Sequence, residues 1–435
     1  MAILSRLLYN NKASIWYYIL FMSGLMLIRD IGIHDIDQLI FIFITSVACF
    51  YYSFKDLLLI SAFLIPLTCG LNGYIVSVLL LSLFFKGGIK SYGQVLPLLV
   101  FAFLEISQFL DHDDYTLQSV ILYLSNLGLF FYLLFEERIA PLSRDFIRLL
   151  LYGISFILFL ILVKLLIFHG DFSALFLDNA RATVSMGRFE DTSVAQTVVA
   201  LNANSIGYFS ILAVSILLFS ANYLKITRTE YFLILFANIL FGAVTLGRTW
   251  LISLILLIIL YFFTLKLSDK LSFISILVLI IFFVILVPAL YEIFDVIFNS
   301  FSERFMEDSL QTGSGRTRLF EIYNTLWMSD PNYMFFGIGA NYRHLFPYLN
   351  AMHNATQQIY VSTGLLGASI YIIYIIKKIR IQAKINKFAS KILYIPLFIV
   401  LIYMQSIPLL ENFLLLMPLV GCFIILNFKS NEIKE

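Results

Sequence analysis

The chain has 435 residues, 61% of them hydrophobic, 17% aromatic and only 13% charged, with a mean hydropathy of +0.92 and a net charge of +2. With 44 Phe, 25 Tyr and repeated uncharged runs of about 20 residues, this composition excludes a soluble enzyme. It indicates an all-α polytopic membrane protein.

In chain order, apolar runs predict about 14 transmembrane helices, within a range of roughly 12–14, in a single integral membrane domain, 1–435. They lie near 13–28, 38–53, 57–70, 73–85, 94–110, 117–135, 147–168, 198–220, 230–246, 250–266, 271–290, 355–376, 393–410 and 412–428. The third and fourth are short, which fits tilted, distorted or partly re-entrant segments. "MAILSRLLYNNK" precedes the first run with no small-residue cleavage site behind it, so that run reads as an uncleaved anchor. Cys49, Cys69 and Cys422 all fall inside predicted spans and define neither a disulfide nor a metal framework.

With 14 spans and a cytoplasmic N-terminus, 20 of the 29 Lys and Arg fall in cytoplasmic segments, as the positive-inside rule requires. Both termini are then cytoplasmic. The outer face receives Arg29, Arg181, Arg188, Arg248, Arg304, Arg316, Arg318 and Arg343, and no lysine. Guanidinium presents a flat, bidentate donor array that suits phosphate oxygens better than ammonium does. Lys164 lies inside a span, about four residues or roughly 6 Å from its outer end, and is expected to snorkel. The basic run "KKIRIQAKINKFASK" at 377–391 reads as an orientation signal against anionic headgroups.

Two outer segments are longer than turns: a shorter loop, 169–197, and a large loop, 291–354. Arg181 and Arg188 in the first either guide a ligand or are ordinary loop residues. In the second, "SGRTRLFEIYNTLWMSDP" predicts a helix with Leu319, Ile322, Tyr323 and Leu326 at helical spacing, stopped by Pro331. Arg316 and Arg318 are two apart and point to nearly opposite faces, so one of them can aim at a given site. Glycines follow in "FFGIGANYRH", where Gly337 and Gly339 allow a tight return. "AMHNATQQIYVSTGLLG" then places His353 and Asn354 at the head of the next span.

Arg248, in "TLGRTW", sits where two spans are joined by a few residues, at a helix N-terminus whose bare N–H groups and dipole favour an anion. It reads equally as an interfacial anchor beside Trp250. Arg316 reads either as part of an anion site or as a solvated residue paired with an acid such as Glu321. His353 reads as a helix cap or as a ring kept neutral by the helix dipole and able to accept a proton. Glu105 and Gln108, near the outer end of the fifth span, are expected to line a polar cavity.

Taken in order, "ALNANSIGYFS" with Asn202 and Asn204, "TLGRTW", "SGR" before a short amphipathic helix, "DP", "GIG" and "MHNATQQIYVSTGLLG" resemble the signature of the O-antigen ligase and Wzy-type polymerase superfamily over roughly residues 190–375. The resemblance implies a GT-C-type glycosyltransferase of the bacterial inner membrane, with its large loop and active site in the periplasm. Its substrates would be glycans on undecaprenyl diphosphate, as donor and as acceptor. By resemblance Arg248 and Arg316 hold the diphosphate, with Arg318 as the substitute, and His353 assists the acceptor hydroxyl. Arg181, Arg188, Asn204, Arg343, Asn354 and Glu105 are further candidates for substrate binding. No cofactor or metal is implied; the expected partners are membrane lipids and a chain-length regulator, and nucleic acid is not among them. The ligase pattern has a further polar residue before His-Asn, where this chain carries Ala351 and Met352. A polymerase is therefore expected, with the O-antigen ligase as the alternative. A flippase is a further alternative, and would require charges along a central cavity and related halves.

Overall fold

In the computed structural model the described residues are 11–31, 33–34, 36–68, 71, 73–111, 116–169, 184–185, 200–201, 203–245, 247–265, 295, 298–299, 302, 316–340, 352, 354–385, 391–407 and 416–428. They are overwhelmingly helical. The exception is a two-residue antiparallel pair, β1 (Val184–Ser185) with β2 (Ala200–Leu201), in register Val184 to Leu201 and Ser185 to Ala200.

The helices are α1 (Asn11–Asp30), α2 (Gln38–Tyr51), α3 (Phe54–Leu67), α4 (Tyr74–Gly87), α5 (Tyr92–Asp111), α6 (Leu117–Leu134), α7 (Ser143–His169), α8 (Ala203–Leu224), α9 (Arg228–Val244) and α10 (Arg248–Thr264). After them come α11 (Arg316–Ser329), α12 (Pro331–Phe336), α13 (Ala355–Ile385), α14 (Ile395–Tyr403) and α15 (Val420–Ile424). Helices overlap every predicted span except 271–290, which lies outside the described residues, as do 408–415 in the last two spans; the span expected over 198–220 becomes helical only from Ala203, after β2. Among the described residues five helices are long and apolar enough to cross a membrane: Tyr92–Leu110, Leu117–Leu134, Glu137–Lys164, Asn204–Leu224 and Ala355–Ala383. Five more are apolar but shorter, among them Gln38–Tyr51 and Tyr74–Gly87.

Several starts follow from local chemistry. Ser53 and Asp56 form a capping box at α3, and Thr227 and Glu230 another at α9, so orphan N–H groups of the first turn are satisfied reciprocally. Helix α8 is buried on nearly every side, with Tyr208, Phe209, Leu212 and Leu217 fully buried, so it forms the centre of the bundle, packed by α7, α9, α10 and α14. Helices α3 and α7 approach closely at Gly153, where a Cβ would stand 2.4 Å from the Phe63 carbonyl oxygen.

Charged groups gather at the helix ends. At one end of the bundle Arg138 donates to Glu136 at 2.7 Å and to the Gly87 carbonyl at 3.0 Å, and lies 3.9 Å over the Phe54 ring. Lys86 donates to the terminal carbonyls of α2, at Phe50 and Tyr52, and Arg148 pairs with Glu230 at 3.1 Å. Burial works to raise the Glu136 carboxyl, but hydrogen bonds from Arg138 outweigh it and hold the group below the usual carboxylate range.

One sequence expectation is corrected here. Lys164 does not snorkel: it is buried, with its Nζ 3.8 Å from Asp30, which also receives Arg29 at 2.8 Å. Arg29 lies over the Phe41 ring at 5.0 Å and so joins α1 to α2, while Asp30 joins α1 to α7 through Lys164. The basic run after 376 begins within a helix. α13 continues through it to Ile385, with Lys378 buried beside the Phe135 ring and Gln382 donating to Asn427 at 2.6 Å. Water is excluded from these positions, so pairing replaces hydration.

Replacing Asp30 with Asn should leave two buried cations without their carboxylate and cost about 3–5 kcal/mol in chemical unfolding in detergent. The double change Asp30→Leu with Lys164→Met should restore part of that loss.

Candidate functional site

Arg248 is the first residue of α10, and Gly247 before it offers no side-chain cap, so first-turn N–H groups of this helix are left by the cap position. The preceding turn is tight: Thr245 Oγ1 donates to the Gly242 carbonyl at 2.6 Å and accepts from Gly247 N–H at 3.2 Å. Trp250, the neighbour of Arg248, packs inside the bundle. It is 2% exposed, and its indole N–H donates to Ser210 Oγ at 2.9 Å, while that hydroxyl donates to the Asn238 carbonyl. A Cβ at Gly242 would meet Trp250 Nε1 at 2.0 Å, so glycine is what lets the indole lie flat between α8 and α9. The buried tryptophan thus fixes the helix end that carries the half-buried Arg248.

The heads of neighbouring helices converge on this point. Tyr403, at the end of α14, donates to the Asn204 carbonyl at 2.9 Å, and its hydroxyl fills the space left by Gly207 on α8. Trp250 Cβ borders the same glycine, 3.4 Å from its ideal Cβ position. Two residues past Tyr403, Gln405 accepts from Thr356 at 3.0 Å, which ties the head of α13 to the same place. Asn354 caps α13: its Oδ1 accepts from Gln357 N–H at 3.0 Å and its carbonyl accepts from Gln358 N–H at 2.9 Å.

The amphipathic helix of the large loop docks on that head. Helix α11 begins at Arg316 as the spacing predicts and ends before Pro331, which also opens α12, with the Asp330 carboxylate accepting from Asn332 N–H at 2.8 Å. Tyr323, Ile338, Met352 and Val361 form a separate small core, with Leu319, Leu326 and Trp327 packed around it. Gln357 donates to the Phe320 carbonyl at 2.8 Å and to Asn324 at 3.1 Å, Tyr360 hydrogen-bonds Asn324, and the Trp327 and Tyr360 rings meet edge-on at 5.0 Å.

Helix α13 is broken at Gly364, whose φ of 65° and ψ of −175° are nearly closed to other residues. In an unbroken helix the Val361 and Ser362 carbonyls would accept from residues four further on. Here they accept instead from Ile338 N–H at 3.0 Å and Gly339 N–H at 2.9 Å. Gly337 and Gly364 pack backbone to backbone: a Cβ on Gly337 would stand 2.2 Å from the Ser362 oxygen, and one on Gly364 would stand 2.3 Å from the Phe335 oxygen. On the other side of this strap the buried Glu105 accepts from Ala340 N–H at 3.1 Å, and Gln108 donates to the Gly337 carbonyl at 3.0 Å. Glu105 and Gln108 therefore clasp the strap, a role the sequence reading did not assign them.

Of the three residues expected to be catalytic, Arg248 is placed as above. Arg316 opens α11 with only its backbone described, and His353 lies outside the described residues, as do Arg181, Arg188, Arg343 and Asn202. Arg318 is exposed on α11, Asn204 gives its carbonyl to Tyr403, and Asn354 acts as a cap. Asn324, Gln357 and Tyr360 were missed; the signal for them was a pair of glutamines, "QQ", at the head of an otherwise apolar span. Compared with family models and with curated proteins, the chain gives no match.

Gly364→Ala should strain the backbone by roughly 1–3 kcal/mol and push out the strap, seen as faster proteolysis within 316–340. Gly24→Ala, whose Cβ would meet nothing within 4 Å, should leave the cleavage pattern unchanged.

Proposed function

We propose that this chain is an integral membrane glycosyltransferase that polymerises oligosaccharide repeat units carried on undecaprenyl diphosphate. In this reading it is a GT-C-type enzyme of 12 to 14 spans in a bacterial inner membrane, with Arg248, Arg316 and His353 at its periplasmic face. The observation that carries the reading is the linkage of Arg248 to the heads of α11 and α13. Trp250 and Tyr403 share the gap at Gly207, Gln405 joins Tyr403 to Thr356, and Gln357 joins that head to α11.

Such a cluster suits transfer from a lipid diphosphate. The bond between the donor anomeric carbon and the phosphate oxygen breaks, and negative charge collects on the departing diphosphate. Guanidinium groups and the helix N–H groups beside Arg248 stabilise that charge without reorganising. The acceptor hydroxyl forms the new bond on the opposite face, inverting the anomeric centre, and its proton passes to His353. The energy comes from the phosphate ester of the donor. Met352, at a position where the ligase pattern carries a polar group, is fully buried in the small core with Tyr323 and Val361, which favours the polymerase over the ligase.

The test is extension of a lipid-linked repeat by the purified protein in nanodiscs. Arg248→Ala should lower the rate by about 10²–10³-fold, and Arg248→Lys should not restore it fully, because an ammonium lacks the bidentate fork. Unchanged extension by Arg248→Ala would remove the proposal. Lipid translocation without extension would point to the flippase, and transfer only onto lipid A-core to the ligase.

A further inference from the structure

Span Tyr92–Leu110 has its midpoint at Phe101, so Glu105 and Gln108 lie four and seven residues beyond it, roughly 6 and 10 Å of helical rise. Span Ala355–Ala383 has its midpoint at Ser369, and Gly364 lies five residues before it, roughly 8 Å. The two midpoints are level, because Leu104 packs on Gly367, 3.1 Å from where its Cβ would stand. The hydrocarbon core extends about 15 Å to each side of its centre. Glu105, Gln108 and Gly364 all lie within that depth, and helix tilt would bring them nearer the centre.

Residues 337–340 are hydrogen-bonded to Glu105, to Gln108 and to the Val361 and Ser362 carbonyls just before Gly364. From this depth we infer that α12 and the strap Gly337–Ala340 form a re-entrant segment that dips into one leaflet, with lipid acyl chains as the partner of its outer face. Non-helical backbone is tolerated at that depth only where protein satisfies it. In the strap the Gly337 carbonyl and the N–H groups of Ile338, Gly339 and Ala340 all have protein partners, and Gly337, Ile338 and Gly339 are buried. The opposite side of the hairpin is apolar and open, with Phe335 55%, Phe336 39% and Met328 64% exposed. Large apolar side chains exposed beside a strap at this depth fit hydrocarbon and not water. This placement does not depend on the chemistry proposed above.

Depth can be measured in a background with Cys49, Cys69 and Cys422 replaced by serine. Phe335→Cys and Phe336→Cys carry a nitroxide in proteoliposomes, with the exposed positions Thr317→Cys and Arg318→Cys as references on the same hairpin. Collisional relaxation should favour lipid-soluble oxygen over a water-soluble nickel chelate at 335 and 336, by several-fold relative to 317 and 318. A water-soluble maleimide should label 335 and 336 at least tenfold more slowly than 317. Equal nickel accessibility and equal labelling at all four positions would overturn the inference. Loss of glycan extension with the depth profile intact would instead count against the proposed enzyme activity.

Discussion

A membrane helix that breaks must find new partners for the carbonyls it frees, and at Gly364 those partners are the N–H groups of Ile338 and Gly339. A buried carbonyl without a hydrogen bond costs on the order of 1–3 kcal/mol by protein mutational measures, and more in hydrocarbon. The break and the strap therefore require one another. Glu105 and Gln108 hold the strap from the other side, so three segments far apart in sequence are joined through main-chain groups that no substitution of a side chain can supply.

This junction positions the rest of the candidate site. Helix α11 reaches α13 through Gln357, Tyr360 and a small apolar core, and Gln357, Tyr360 and the core residue Val361 lie between Asn354 and Gly364 on the broken head of α13. The same head is tied by Thr356 to Gln405, next to the tyrosine that anchors α8. Arg248 enters by a separate route, through the burial of Trp250 against Ser210. A loop helix and a helix terminus are in this way referred to one rigid frame, which is what transition-state stabilisation by fixed charges demands.

Much of the helical layout was legible because apolar runs and basic flanks are strong signals. The amphipathic helix after 315 and its stop at Pro331 were equally plain. The break at Gly364 was not, because "VSTGLLG" carries no charge and no proline and a glycine inside a span has no local mark of its φ. Lys164 illustrates a second limit: snorkelling follows from depth alone, whereas its ion pair depends on Asp30 being brought alongside by packing. Trp250 sits near a membrane-facing turn in sequence, yet Gly242 on the facing helix leaves room for it to turn inward. Glu105 and Gln108 were noticed as buried polar residues, but their partners are backbone groups some 230 positions away.

The docked strap makes a direct prediction for amide hydrogen exchange in lipid nanodiscs. Ile338, Gly339 and Ala340 lie in a non-helical stretch, yet their amides should exchange as slowly as those in the middle of α8. Exchange of these three amides at the rate of an exposed loop would contradict the account at its foundation.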